Sequence, residues 1–282
     1  MTHSDIFKLI QKQAQLDVRQ ALQEDIGSGD ISAKILPEKQ TSKASLITRQ
    51  DMILCGVMWF DAAFKNLDPN ITIDWQFAEG DLVKAKSVLC TIKGSTRAIL
   101  SAERVALNFL QTLSATASKT YEYVNLIKNY PANILDTRKT IPGLRLAQKY
   151  AVRVGGGHNH RLGLFDAFLI KENHIKAAGG IKQAILAARA LKKNAKIEVE
   201  VENLSELNQA LAAGVDQVLL DNFSLADIKQ AVIMADGKTK LEVSGNVSLK
   251  NLKSYARTGV DYISIGALTK NIQAIDLSLR ID

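Results

Sequence analysis

The chain has 282 residues, of which 46% are hydrophobic, and its 36 Lys and Arg outnumber 29 Asp and Glu for a formal net charge of +7. That length allows one large domain or two, with enough apolar content for a sizeable core. No apolar run approaches the ~18 residues of a membrane span, and the polar start MTHSDIFKLIQKQAQLD lacks a secretory h-region, so a cytoplasmic protein without a membrane partner is expected.

In chain order, residues 4–24 read as an amphipathic helix. Residues 43–55 and 71–93 read as strands with Gly-Asp turns, and Cys55 and Cys90 sit in their apolar runs as buried free thiols. Residues 101–128 read as one or two helices. With no parallel βαβ unit, this first part is an α+β domain. After about residue 130 the texture changes. Short apolar runs end on polar residues: ANILD (132–136), AFLIK (167–171), KIEVEV (196–201), QVLLD (217–221), KLEVSG (240–245) and YISIG (262–266). Helical stretches follow most of them, among them GGIKQAILAARALKK, LSELNQALAAG, SLADIKQAVIMAD and SLKNLKSYARTG, several with Ser at the start and Gly at the end. Repetition of strand and helix implies parallel strands with helical crossovers, as an open doubly wound sheet or an α/β barrel. In a barrel the chemistry lies at the carboxyl ends of the strands, which here carry Asp136, Arg138, Lys139, Lys171, Glu200, Asp221, Ser244, Gly245 and Gly266.

Alternation along a strand groups Glu198 with Glu200 and Glu202, Lys240 with Glu242 and Ser244, Gln217 with Asp221, and Leu169 with Lys171. If Val199 and Val201 face the helices, the acids face inward. Buried carboxylates must be paired, hold a metal or face an open pocket. Glu200 and Asp221 suit Mg2+, a hard cation that takes one or two carboxylates plus phosphates. Lys139 and Lys171 suit phosphate, and Arg138 and Arg161 suit planar carboxylates through the guanidinium fork. VSGN (243–246) and SIGA (264–267) end strands with small residues, where backbone N–H groups can cradle a phosphate. Between Asp136 and Lys176 stand eight Lys or Arg and three His against three acids. A solvated basic face, a nucleic-acid patch or a polyanion pocket could each explain that cluster. Aromatics at 6% and the lack of a recognisable module disfavour nucleic acid. His158 and His160 would share one side of an extended segment, but no third metal ligand is visible at suitable spacing. The triple glycine 155–157 lacks dinucleotide-fingerprint spacing and reads as backbone passing close to something.

The segments DTRKTIPGLR, VGGGHNHRLGLFD, LIKENHI, EVEVEN, LLDN, EVSGN and SIGALT, with EDIGSGDIS, EGDLV and SAERVALNFLQTLS before them, resemble the quinolinate phosphoribosyltransferase family over nearly the whole chain. The resemblance implies a type II phosphoribosyltransferase fold: an N-terminal α/β (α+β) sandwich over residues 1–115, with 270–282 packing back onto it, and an incomplete α/β barrel over 116–269. It implies transfer of a phosphoribosyl group from phosphoribosyl pyrophosphate to quinolinate with Mg2+ and loss of CO2, in de novo NAD biosynthesis. The catalytic residues implied are Lys139, Lys171, Glu200 and Asp221. Arg138, His160, Arg161 and Lys171, with Thr137 nearby, would hold the quinolinate carboxylates. Arg104 would join them from the neighbouring subunit of a homodimer, with a hexamer the alternative. Lys139 and Lys171 would border the pyrophosphate, Glu200 and Asp221 would bind Mg2+ and the ribose hydroxyls, and Ser244, Gly245, Asn246, Ser264 and Gly266 would hold the 5′-phosphate. Three departures from the family pattern stand out: Ala115 after Ser114 where glycine is frequent, Asn246 where glycine is usual, and Lys270-Asn271 where His-Ser is frequent. The competing expectations are a relative acting on nicotinate without decarboxylation and a non-catalytic polyanion binder.

Overall fold

A computed structural model describes residues 3–192 and 194–282. The elements run, in order, α1 (His3–Ile26), a short 3-10 turn (Ala33–Ile35), β1 (Thr41–Thr48), β2 (Met52–Ile53), α2 (Val57–Leu67), β3 (Thr72–Trp75), β4 (Leu82–Val83), β5 (Val88–Ser95) and α3 (Thr96–Leu126). They continue as β6 (Asn133–Leu135), α4 (Arg145–Val154), β7 (Phe168–Ile170), α5 (Glu172–Ala178), α6 (Ile181–Leu191), β8 (Ile197–Val201), α7 (Leu204–Ala212), β9 (Gln217–Asp221) and α8 (Leu225–Ala235). Last come β10 (Lys240–Ser244), α9 (Leu252–Ala256), β11 (Tyr262–Ser264), α10 (Ala267–Lys270) and β12 (Leu277–Ile281). Among the described residues no helix is long and apolar enough to cross a membrane.

The chain forms two compact units, one of Met1–Tyr121, Thr140–Gly156 and Thr269–Asp282, the other of Glu122–Lys139 and Gly157–Leu268. The first is built on an antiparallel sheet of order β12-β1-β5-β3. Its core packs Trp59, Phe60 and Phe64 of α2 against α1 and the sheet, all three fully buried. The indole N–H groups of this core find carboxylates: Trp59 donates to Asp17 at 2.9 Å and Trp75 to Asp61 at 3.0 Å. The single long helix α3 is tied to the strand region by hydroxyls. Ser118 accepts from the Ile53 amide at 2.8 Å, and Ser114 both accepts from the Cys55 amide and donates to the Cys55 carbonyl, each at 3.0 Å. Ala115, beside Ser114, is buried within this helix. Alanine there favours the helical backbone over glycine by about 1 kcal/mol. Both cysteines are buried and free, and burial pushes both thiols up.

The second unit is a six-stranded parallel sheet of order β6-β11-β10-β9-β8-β7. Four neighbouring pairs follow chain order, but the first strand, β6, pairs with the last, β11. That wraps the sheet towards a barrel and leaves a seam between β6 and β7. The segment after the triple glycine lines the seam on the β6 side: Asp136 donates its N–H to the His158 carbonyl at 3.0 Å, and His158 donates to the Ile134 carbonyl at 2.8 Å. The crossover helices carry acidic first turns and side-chain caps, with Asn203 accepting from the Glu206 amide and Ser224 from the Asp227 amide. After β10 the helix is shorter than SLKNLKSYARTG suggests. Asn251 Oδ1 accepts from the backbone and hydroxyl of Ser248, making a side-chain turn there, and the α-helix starts only at Leu252.

The triple glycine is a close-approach site. A Cβ on Gly155 would stand 2.8 Å from Cβ of Thr120 and 3.1 Å from the carbonyl carbon of Ala117, both on α3. Replacing Gly155 by alanine therefore forces a backbone shift, and chemical denaturation should show a loss of ~1–3 kcal/mol. Unchanged stability would mean that α3 and α4 separate freely.

Candidate active site

The carboxyl edge of the parallel sheet gathers the polar residues singled out in the sequence. Asp136 follows β6, Lys171 follows β7, Glu200 lies near the end of β8, Asp221 and Ser244 end β9 and β10, and Gly266 follows β11. Parallel register places Ser244 beside Asp221. Along β8 the inward face grades from buried to open: Glu198 is 3% exposed, Glu200 is half-buried and Glu202 is exposed. Val199 and Val201, on the opposite face, are fully buried.

The anion-binding side is built on the β6 end and the seam segment. Asp136, fully buried, accepts from the His160 amide at 2.9 Å and from the Asn159 side chain at 2.6 Å. This carboxylate fixes the backbone from which His160 and Arg161 extend. Asp166 braces the next turn by accepting from the amides of Leu162 and Gly163, at 2.7 and 3.0 Å. Arg138 and Arg161 have buried Nε atoms with no hydrogen-bond partner. Burial, and then the like charge of Arg138, hold the Arg161 guanidinium below the usual arginine range. Two neighbouring guanidinium groups with unused buried donors form a receptor for a planar anion. Thr137 turns the chain beside them by accepting from the Lys139 amide at 3.1 Å, and Lys139 is exposed.

Lys171 caps α5, its amide donating to His174 Nδ1 at 3.0 Å, and its ammonium is ion-paired with Glu200. Glu200 and Asp221 are hard oxygen donors on neighbouring strands. Asp221 accepts from the Asn222 side chain at 2.9 Å. After Ser244 the backbone turns through two left-handed residues, Gly245 at φ 99° and Asn246 at φ 48°. A Cβ on Gly245 would lie 3.1 Å from the Asn222 backbone nitrogen, so only glycine fits. Asparagine is among the side chains that tolerate the left-handed region, which accounts for Asn246 where glycine is usual. Asn251 secures the turn by donating to the Asn246 carbonyl at 2.9 Å. Ser264 is buried at the end of β11, its hydroxyl 3.5 Å from the Val243 carbonyl. Of the other departures, Lys270 is exposed, and Asn271 offers its carbonyl to Lys119 at 2.6 Å.

Arg104 alone of the expected site residues lies in the first unit, exposed on α3. Asp136, singled out only for its place at a strand end, converges here with three residues given no site role: Glu198, Gln217 and Glu242. Strand alternation marked the last three as inward-facing, but not that they meet one another and His160. Gln217 donates to Glu198 at 2.6 Å and to Glu242 at 2.8 Å. His160 Nε2 lies 2.9 Å from Glu198.

Family comparison covers the chain as a whole. The model described as the quinolinate phosphoribosyl transferase C-terminal domain matches residues 116–280, and its N-terminal counterpart matches 30–114. A probable carboxylating nicotinate-nucleotide pyrophosphorylase of Bacillus subtilis is 38% identical over 92% of this chain and 90% of its own length. The decarboxylating quinolinate phosphoribosyltransferase 1b of Nicotiana tabacum is 36% identical over 94% of this chain and 81% of its own. The solved structure of the nicotinate-nucleotide pyrophosphorylase from Francisella tularensis superposes with a TM-score of 0.94, at 52% identity, over 96% of this chain and 97% of that one. Both domains are matched, in the same order and nearly end to end, and the chain belongs to the quinolinate phosphoribosyltransferase family.

Proposed function

We propose that the chain joins quinolinate to phosphoribosyl pyrophosphate and releases CO2 and pyrophosphate, leaving nicotinate mononucleotide, with the roles that follow. The observation carrying the assignment is the pair Arg138 and Arg161, whose buried Nε donors have no hydrogen-bond partner and of which Arg161 is held below the usual arginine range by burial and then by the like charge of Arg138. A substrate with two carboxylates neutralises both. Nicotinate, with one carboxylate, would leave buried positive charge uncompensated.

In this reading Lys139 and Lys171 neutralise the departing pyrophosphate. Ser244, Gly245 and Asn246, with Ser264 and Gly266, hold the 5′-phosphate at the turns after β10 and β11. Glu200 and Asp221 face the ribose hydroxyls. The carboxylate oxygens of Glu200 and Asp221 suit a hard cation, and two such donors leave most coordination positions for phosphate and water. They would hold Mg2+, which supplies charge neutralisation for the leaving group. The ion pair of Lys171 with Glu200 keeps both side chains in place before substrate enters.

The chemistry needs no covalent nucleophile. The bond from the anomeric carbon to the pyrophosphate oxygen breaks, and the ribose ring gains oxocarbenium character. The pyridine nitrogen attacks that carbon and becomes cationic. The bond to the adjacent carboxylate then breaks with loss of CO2, leaving its electron pair on the ring carbon beside the cationic nitrogen, and that carbon takes up one proton. The protein aligns the two substrates and balances charge.

Arg104 completes the anion receptor from a second copy of the chain, in a homodimer or a hexamer built from such dimers. Mixing Arg104→Ala chains with Arg138→Ala chains should then restore activity, since one site of each mixed dimer keeps both arginines. No recovery on subunit exchange would place Arg104 in the site of its own chain.

Purified protein with phosphoribosyl pyrophosphate, Mg2+ and quinolinate should form mononucleotide and CO2 in equal amounts, and nothing with nicotinate. Product from nicotinate alone would overturn the assignment. Arg138→Ala should abolish measurable quinolinate binding in calorimetry while far-UV circular dichroism stays unchanged. Chelation by EDTA should stop turnover, and Mg2+ should restore it. Full activity in EDTA would remove the metal role from Glu200 and Asp221.

A further inference from the structure

The segment EDIGSGDIS, residues 24–32, has no part in the reaction described above. It leads from α1 into the 3-10 turn and contributes little to the core: Ala33 is buried, but Ile31 and Ile35 are 80% and 84% exposed. Polar bonds order it instead. Oδ1 of Asp30 accepts from the amides of Ser32 and Ala33, at 2.9 and 3.0 Å, and Oδ2 accepts from the hydroxyl of Ser101 at 2.7 Å. Further along, Arg97 donates through Nε and Nη2 to the Leu36 carbonyl, at 3.0 and 2.6 Å. The far end is held where the Thr96 amide donates to the Gln40 carbonyl at 2.9 Å. The anchors Thr96, Arg97 and Ser101 all belong to the first two turns of α3.

Arg97, Ser101, Arg104 and Asn108 follow one another at steps of four, three and four residues, which places them in one stripe along α3. The loop takes up the first two members of that stripe. Arg104 is the next, and it is exposed. Long side chains on a helix lean towards its N-terminus, over the residues three and four positions earlier. For Arg104 these are Ser101 and Leu100, so the bond between Asp30 and Ser101 stands on the side to which its stem leans.

We propose that Asp30 is a positioning residue: it clamps the loop onto Ser101 and so confines Arg104 to the direction in which it reaches the carboxylates of quinolinate. The inference rests on the reading of Arg104 as part of the anion receptor. It gives the segment a function that core packing does not supply. A long cationic side chain has many rotamers, and holding it ready before substrate arrives avoids part of the ordering cost of binding. The clamp keeps its acceptor form at neutral pH, because the Ala33 amide and then the Ser101 hydroxyl hold the Asp30 carboxyl below the usual carboxylate range. Since Ile31 and Ile35 bury little, releasing the loop removes few core contacts, and binding should suffer more than stability.

The test is a double-mutant cycle on the full chain, with Asp30→Ala, Arg104→Ala and the two combined, and with Asp30→Asn as the conservative control. Asp30→Ala should raise KM for quinolinate about tenfold, while KM for phosphoribosyl pyrophosphate and Tm stay near wild type. Asp30→Asn should keep the low KM, because its Oδ1 still accepts from both amides and its Nδ2 can donate to the Ser101 hydroxyl. In the Arg104→Ala background, Asp30→Ala should add nothing further, because the side chain it positions is gone. An equal rise in KM with and without Arg104 overturns the proposal. So does a parallel rise in both KM values, or an Asn variant as impaired as the Ala variant. If Asp30→Ala does not fold, Ser101→Ala takes its place in the cycle. A normal quinolinate KM in Arg104→Ala alone would remove the receptor role of Arg104, and the proposal with it. Absence of CO2 from the wild-type enzyme would instead remove the reaction assigned above.

Discussion

Two like charges held side by side are costly, and Arg138 and Arg161, both half-buried, impose that cost on the fold. The structure meets it with rigid acids placed behind the arginines. Asp136 fixes the backbone that carries Arg161, Asp166 braces the following turn, and Glu198 and Glu200 contribute opposite charge from the adjacent strand. Substrate then completes a charge balance that the fold leaves open. Pre-organised charge of this kind accounts for a site that needs neither a covalent nucleophile nor a large apolar cleft.

Much of this arrangement was legible in the sequence because β-strands have a period of two. EVEVE and QVLLD mark their inward faces without further information, and short strands ending on polar residues locate one functional edge of the sheet. The helix cap at Ser224 was equally readable, whereas the one at Asn203 appeared only in the structure. Less legible was everything that depends on distance in the chain. Nothing local says that Gln217 bridges Glu198 and Glu242, or that Asp136 holds His160. Helices α2 and α4 also escaped. The first is mainly apolar with few polar positions to show its period, and the second lies inside a stretch whose basic residues draw attention to charge instead of to the buried Ala147, Ala151 and Val152.

The triple glycine is backbone passing close to a neighbour, as its lack of dinucleotide-fingerprint spacing implied. Its first residue is required by packing against α3, and its last leads into the segment that lines the barrel seam. Glycine here serves the architecture, and the binding residues follow two and three positions later. Asn246 is the complementary case. What looked like a departure at a phosphate turn is a second solution to one backbone requirement, a positive φ.

The sheet orders have a consequence for how the chain acquires its shape. In the first unit, β1 at Thr41–Thr48 pairs with β12 at Leu277–Ile281, and in the second, β6 at Asn133–Leu135 pairs with β11 at Tyr262–Ser264. Each unit thus joins a strand to one much further along the chain. Neither sheet is complete until the intervening segments have been made, and closing such long-range pairs slows folding. Until then the edges of β1 and β6 lack these partners, and unpaired edges of a nascent chain are prone to aggregate. The same closure makes β12 a staple on β1, the strand it pairs with.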